Sequence, residues 1–139
     1  MTETPNDRLA GTAHALARIC LGLNIFLHGV VRIPHFDAFS GKLQHQFAAT
    51  FLPSGLIQAS AYVIVGGETL IGLLVLLGLG LRGALIAGTL LMILLQFGTA
   101  LVQDWTVATQ QLTYVAFYVV LLATLRHDTC SLDRLRARG

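Results

Sequence analysis

Apolar residues fall into four long blocks, at about residues 11–31, 57–81, 83–102 and 107–125. Each is near the ~20 residues a helix needs to cross a hydrocarbon core of ~30 Å, about twice what a barrel strand needs. In lipid a helix satisfies its backbone donors and acceptors within its own segment. The pattern therefore predicts an all-α chain, a transmembrane four-helix bundle forming one domain over residues 1–139. The first block is longer than a signal-peptide core and is interrupted by Arg18, Asn24 and His28. No small-residue cleavage site follows it, so it is read as a permanent helix.

The connections are unequal. Around "LGLRG" the second and third blocks almost touch, which predicts antiparallel neighbours. The third and fourth meet in a short turn, "QDWT", where Trp105 suits an interfacial anchor. The first loop, 33–56, is long. Phe36, Phe39, Leu43, Phe47 and Phe51 recur in it at helical spacing, while His35, Lys42, Gln44, His45 and Gln46 mostly take other faces. Between Pro34 and Pro53 this predicts an amphipathic helix at the outer surface, either a lid over the bundle or a helix resting among headgroups.

Composition strengthens the membrane reading. The chain is 55% hydrophobic and 12% charged, against about 25% charged in a soluble domain, and its mean hydropathy is +0.71. The net charge of +2 comes largely from tail arginines and not from a nucleic-acid-binding stripe. Arg8, Arg82, Arg126, Arg134, Arg136 and Arg138 fall on one side of the predicted spans, and Arg32 and Lys42 on the other. The bias predicts that both termini are cytoplasmic. Cys20 and Cys130 have no CxxC or zinc-like spacing and are read as free thiols. His28, His35 and His45 lack a tight metal-ligand spacing, so no metal is expected.

The polar residues inside the blocks carry the candidate chemistry. Counted at ~1.5 Å per residue from the outer face, His28 lies ~6 Å deep, Asn24 ~12 Å and Arg18 ~21 Å. Glu68 lies ~16 Å deep, Gln96 ~9 Å, and Tyr114 and Tyr118 ~10 and ~16 Å. Arg18, Leu21, Ile25, His28 and Arg32 form a stripe with Asn24 on its flank, and Gln111, Tyr114 and Tyr118 share a face of the last block. Such stripes are expected to turn inward. A mid-membrane carboxylate costs at least ~2.5–3.5 kcal/mol and must pair, protonate or reach water. The depths predict an Arg18–Glu68 ion pair, or a link through Asn24. Two readings stay open. The pair locks two helices together, or Glu68 and His28 handle protons in a polar pocket. The glycines Gly22, Gly66, Gly67, Gly72 and Gly78 are read first as close helix contacts.

Arg18, Gly22, Phe26, His28, Gly29 and Arg32 in "RICLGLNIFLHGVVR" resemble the first helix of the DoxX family. Glu68, Gly72, Gly78 and Arg82 in "GETLIGLLVLLGLGLR" resemble its second, and "SLDRLR" its cytoplasmic ending. The resemblance implies a small four-helix protein of the bacterial inner membrane. It also points to a subunit of a quinone-linked oxidoreductase. On that hypothesis the inward polar residues supply the site: Glu68 and His28 as catalytic groups that deliver protons, and Arg18, Asn24, Gln96, Tyr114 and Tyr118 lining the quinone. Electrons would come from a protein partner, since the chain lacks a redox CxxC and paired haem ligands; a homo-oligomer is the other assembly expected. The alternative is a non-enzymatic scaffold or assembly subunit. A small-solute or proton carrier ranks behind both, since the chain shows no inverted halves.

Overall fold

The protein is described here by a computed structural model covering residues 5–137. Among these residues there are helices and turns but no strand: α1 (Pro5–Val30), α2 (Phe36–Phe47), α3 (Ser54–Leu77), α4 (Leu81–Leu101), α5 (Trp105–Ala123) and a short α6 (Leu132–Arg136). Single 3-10 turns at Ile33–His35 and Leu125–His127 precede α2 and the tail. Four helices are long and apolar enough to cross a membrane. Large apolar side chains on their outer faces, among them Leu16, Leu70, Leu90, Ile93, Phe97, Leu112 and Val120, stay exposed. A surface of this kind requires lipid and would be an aggregation liability in water.

The closest packing joins α1 to α3, and glycine makes it possible. A Cβ at Gly22 would stand 2.6 Å from the Cα of Leu76; one at Gly72 would stand 2.6 Å from the Cα of Phe26; one at Gly29 would stand 2.9 Å from the Cα of Thr69. Backbone thus lies against backbone along two antiparallel helices, the small-residue contact that replaces hydrophobic driving force in a bilayer. Gly66 is different: nothing lies within 4 Å of its Cβ position. Gly67 meets only the Leu91 side chain, at 3.2 Å. These two were expected to be close contacts with the others, but they face away from α1.

The α3–α4 turn explains where both helices stop. Gly78 takes φ +69°, and its N–H donates to Val75 O (3.2 Å) while Leu79 N–H donates to Leu74 O (2.9 Å). This is a Schellman ending, which favours glycine at the left-handed residue. The tail then folds back onto the turn. Ser131 packs against Gly78, and the Asp133 carboxylate accepts from Gly80 N (3.0 Å) and Leu81 N (2.9 Å), capping α4 from 52 residues away. Gly11 of α1 lies against Thr129 and the His127 carbonyl. The start of α1, the α3–α4 turn and the tail therefore form one end of the molecule, the tail end.

At the opposite end α2 leans on α3 and α4. Ser40 Oγ (2.6 Å) and Gln44 Nε2 (2.7 Å) donate to Gln58 Oε1, Phe36 stacks on Tyr62 with ring centroids 4.4 Å apart, and Phe47 reaches Gly98. Phe36, Phe39, Leu43 and Phe47 are half-buried, but α2 ends at Phe47, so Phe51 lies beyond it and is exposed. At the start of α5, Asp104 accepts from Val107 N–H at 3.1 Å and Trp105 stands exposed.

Replacing Gly72 with alanine forces the Phe26 backbone to move. Overpacking of this kind costs about 1–3 kcal/mol, so Gly72→Ala is expected to lower the thermal midpoint in mild detergent. Gly66→Ala meets no neighbour and should leave the midpoint unchanged or raise it. Circular dichroism melts of the two variants check the contrast. The N–H groups of Leu81 and then Gly80 hold the Asp133 carboxyl below the usual carboxylate range. A depressed value stabilises docking at pH above the unfolded value of ~3.9; the contribution fades as pH falls from there through the lowered folded value. Tail protection from a protease active in acid should drop across that window, and Asp133→Asn should remove the step.

Candidate functional site

Glu68 is buried on α3, and its partner is Arg32. The expected Arg18–Glu68 pair is not formed. Because Gly29 faces Thr69, Glu68 stands level with the last turn of α1, about 16 Å along the helix from Arg18. The depth estimate misled because it set the ends of the two helices level. In fact the first turns of α3 project past α1 and pack on α2. The Arg32 guanidinium lies over the Phe39 ring of α2, 4.8 Å from its centroid, a cation–π contact worth ~0.5–2 kcal/mol depending on desolvation. Arg32 is thus held between a buried carboxylate and an aromatic face.

Arg18 does something else. It is buried, and its Nη1 donates to Val75 O (2.9 Å), which also accepts from Gly78 N–H, and to Leu76 O (2.6 Å), at the end of α3. A helix C-terminus favours a cation through its unpaired carbonyls and its dipole. Among the described residues no hydrogen bond links the Asn24 side chain to Arg18 or Glu68; the Asn24 backbone carbonyl lies 2.9 Å from His28 Nδ1.

His28 and Asn24 were expected to turn inward, and both are exposed. The buried face of α1 runs through Gly11, His14, Arg18, Leu21, Gly22, Ile25 and Gly29. At the level of His28 the glycine takes the inner position, and the imidazole stands about 100° away. With Leu27, Val31 and Arg32 they line a shallow, open groove along one side of the end of α1. The His28 ring meets the edge of Tyr114 on α5, with centroids 6.0 Å apart and planes at 75°.

The other predicted site residues scatter. Tyr118 is fully buried against Gly88, and its hydroxyl finds no hydrogen-bond partner, though the Glu68 charge reaches it. Gln96 is half-buried on α4, and its backbone carbonyl lies 3.0 Å from the Thr99 hydroxyl. The α4–α5 polar contact is Thr99 Oγ1 to Gln111 Oε1, at 2.9 Å. Of the residues expected around one pocket, the structure brings His28 against Tyr114 and sets Asn24 and His28 on one exposed face, while Glu68 pairs with Arg32, a partner the sequence reading missed. Arg32 lies at the end of the same stripe, four residues beyond His28, and that spacing was the available signal. His14, Asp128 and Ser131, all buried at the tail end, were missed as well.

Breaking a buried ion pair strands the surviving charge and costs about 3–5 kcal/mol, whereas replacing both partners with apolar groups is often neutral. Arg32→Leu and Glu68→Leu are each expected to destabilise the protein by an amount of that order, reduced for Arg32→Leu by the partial exposure of the arginine. The Arg32→Leu/Glu68→Leu double variant should recover most of the loss. A double-mutant cycle on unfolding in detergent measures it, and additive losses would show that the pair contributes nothing as a pair.

A family model described as DoxX matches residues 13–103. No curated protein and no solved structure matches the chain. The match covers more than half of the sequence and takes in α2, α3 and α4 with most of α1, including Glu68, Arg32 and the groove. This multi-pass membrane protein belongs to the DoxX family.

Proposed function

We propose that the groove at Asn24, His28 and Arg32 binds the headgroup of a membrane quinone, and that the chain is the quinone-handling subunit of a larger membrane oxidoreductase. The observation that carries the reading is the groove itself. Polar Asn24, His28 and Arg32 share it with apolar Leu27 and Val31, on a helix whose flanking Leu23, Leu27 and Val31 are exposed. A lipid-soluble ligand with a polar head matches that mixture. The polar set also suits a ring that carries oxygens.

A quinone supplies two-electron, two-proton redox chemistry when bound. The chain's own part is proton handling and positioning. The Asn24 carbonyl can only accept, so His28 donates through Nδ1–H, and the neutral ring presents Nε2 as an acceptor to the groove. His28 therefore takes a proton from a ligand hydroxyl and, once protonated, returns one to a ligand oxygen. Arg32 offers donors to that oxygen. Glu68 has no opening of its own to the groove; it orients Arg32 and balances its charge. Tyr114 packs the far edge of the imidazole. Arg18, Gln96 and Tyr118 stand outside this assignment.

The arginine distribution supports a cytoplasmic placement of the tail end. Arg8, Arg82, Arg126, Arg134 and Arg136 gather there, and Arg32 and Lys42 lie at the α2 end. With this orientation α2 lies at the outer surface of a bacterial inner membrane, its half-buried aromatics toward the bundle, roofing the Arg32–Glu68 pair.

One observation favours a second reading, a scaffold or assembly subunit: Arg32 and Glu68 already satisfy one another without a ligand. A carrier is disfavoured by the packed layer of Leu21, Ile25, Val75, Leu85 and Met92, which separates the polar groups of the two ends. Titration of a short-chain benzoquinone into the protein in nanodiscs separates the first two readings. For a quinone site, His28→Ala weakens binding about tenfold or more, equal to ~1.4 kcal/mol, and Glu68→Gln weakens it by misplacing Arg32. Equal binding by both variants, or none by the parent, leaves the scaffold.

A further inference from the structure

A second cluster lies at the tail end, far from the groove. His14, Arg18 and Asp128 are each more than nine-tenths buried, yet each has an atom with no hydrogen-bond partner: His14 Nε2, Arg18 Nε and Asp128 Oδ1. Unpartnered buried polar atoms are uncommon in native proteins. Among the described residues these three account for all but the Tyr118 hydroxyl. They gather in one place. His14 and Arg18 are one turn apart on the buried face of α1, and the charges of Asp128 and Arg18 both act on His14. The other oxygen of Asp128 accepts from the Ser131 hydroxyl, and Ser131 packs on Gly78 beside Arg18 Nη1.

The Thr124 hydroxyl lies 2.7 Å from Val120 O and 2.9 Å from His14 Nδ1. In the tautomer that suits a hydroxyl donating to Val120 O, Nδ1 carries the proton and Nε2 of the neutral ring is a bare acceptor. Asp128 Oδ1 is a second acceptor. Arg18 Nε–H is a donor. One donor cannot serve two acceptors that both lack a proton. A water molecule can: it accepts from Arg18 and donates one hydrogen each to His14 and Asp128. Three bonds is the usual count for a buried water. Asp128 also lines an open depression of about 310 Å³ with Arg126, Thr129 and Arg134.

We propose that a single buried water bridges Arg18 Nε, His14 Nε2 and Asp128 Oδ1, and that this hydrated junction fastens the C-terminal segment to α1. The site is independent of quinone binding. Its role is to join an element outside the four long helices to the α1–α3 pair.

The test uses the full chain in nanodiscs with nitrogen-15-labelled histidine, the His14 signal being identified by its loss in His14→Gln. The expected result is a neutral ring protonated at Nδ1, with a cross-peak to a slowly exchanging water. A doubly protonated ring, which would donate straight to Asp128, overturns the proposal, and so does a neutral ring with no water cross-peak. Fastening is read separately by trypsin. Asp128→Leu should raise the rate of cleavage after Arg126 and Arg134 at least tenfold while the helical signal is retained. An unchanged rate in that folded variant overturns the fastening role. If the variant does not fold, the wild-type spectrum still decides whether the water is there.

Discussion

The approach of α1 to α3 governs the placement of the charged groups. In a bilayer apolar side chains gain nothing by leaving lipid for each other, so helices associate through close backbone contact and polar links. Gly22, Gly29 and Gly72 permit that contact, and their spacing fixes the register of the two helices. The register then decides every charge partner. It sets Glu68 beside the end of α1, where Arg32 reaches it, and sets Arg18 against the terminal carbonyls of α3. One helix turn of slip would leave both arginines and the carboxylate without these partners. The glycines are therefore the reason the ionisable residues are tolerated at these depths.

Polarity is concentrated at two ends with a dry layer between. At one end a carboxylate of α3, the Arg32 guanidinium just past α1 and an aromatic ring of α2 stand in sequence. At the other, carbonyls of α3, two arms of α1 and a returning tail share hydrogen bonds. Leu21, Ile25, Val75 and Leu85 fill the space between them. The polar groups of one end therefore do not reach those of the other.

Much of this was legible in the residues. Length and hydropathy marked the four long helices because a hydrocarbon slab imposes a minimum apolar run. "LGLRG" announced the tight α3–α4 turn; of the Phe36, Phe39, Leu43, Phe47 and Phe51 period in the first loop, the first four fall in α2 and Phe51 does not. Pairing was not legible. Depth counted from each helix's own end assumes that the ends are flush, and the projection of α3 past α1 broke that assumption for Glu68. Facing also failed locally. A stripe drawn at 3,4,3,4 spacing cannot tell whether His28 or Gly29 takes the inner position, and the demand for backbone contact chose glycine. His14 and Asp128 escaped notice because they are 114 residues apart and meet only when the tail folds back.

That folding back has a consequence for how the molecule is made. Residues 128–133 leave the ribosome after all four long helices. Until they arrive, the first N–H groups of α4 lack the Asp133 carboxylate, and the left-handed turn at Gly78 lies open. The helices can enter the bilayer one after another, but this end of the molecule stays unsealed through that process. Its closure is a late event in biogenesis, and a nascent chain held just short of Asp128 is the form in which a quality-control protease or an assembly partner would find this end open.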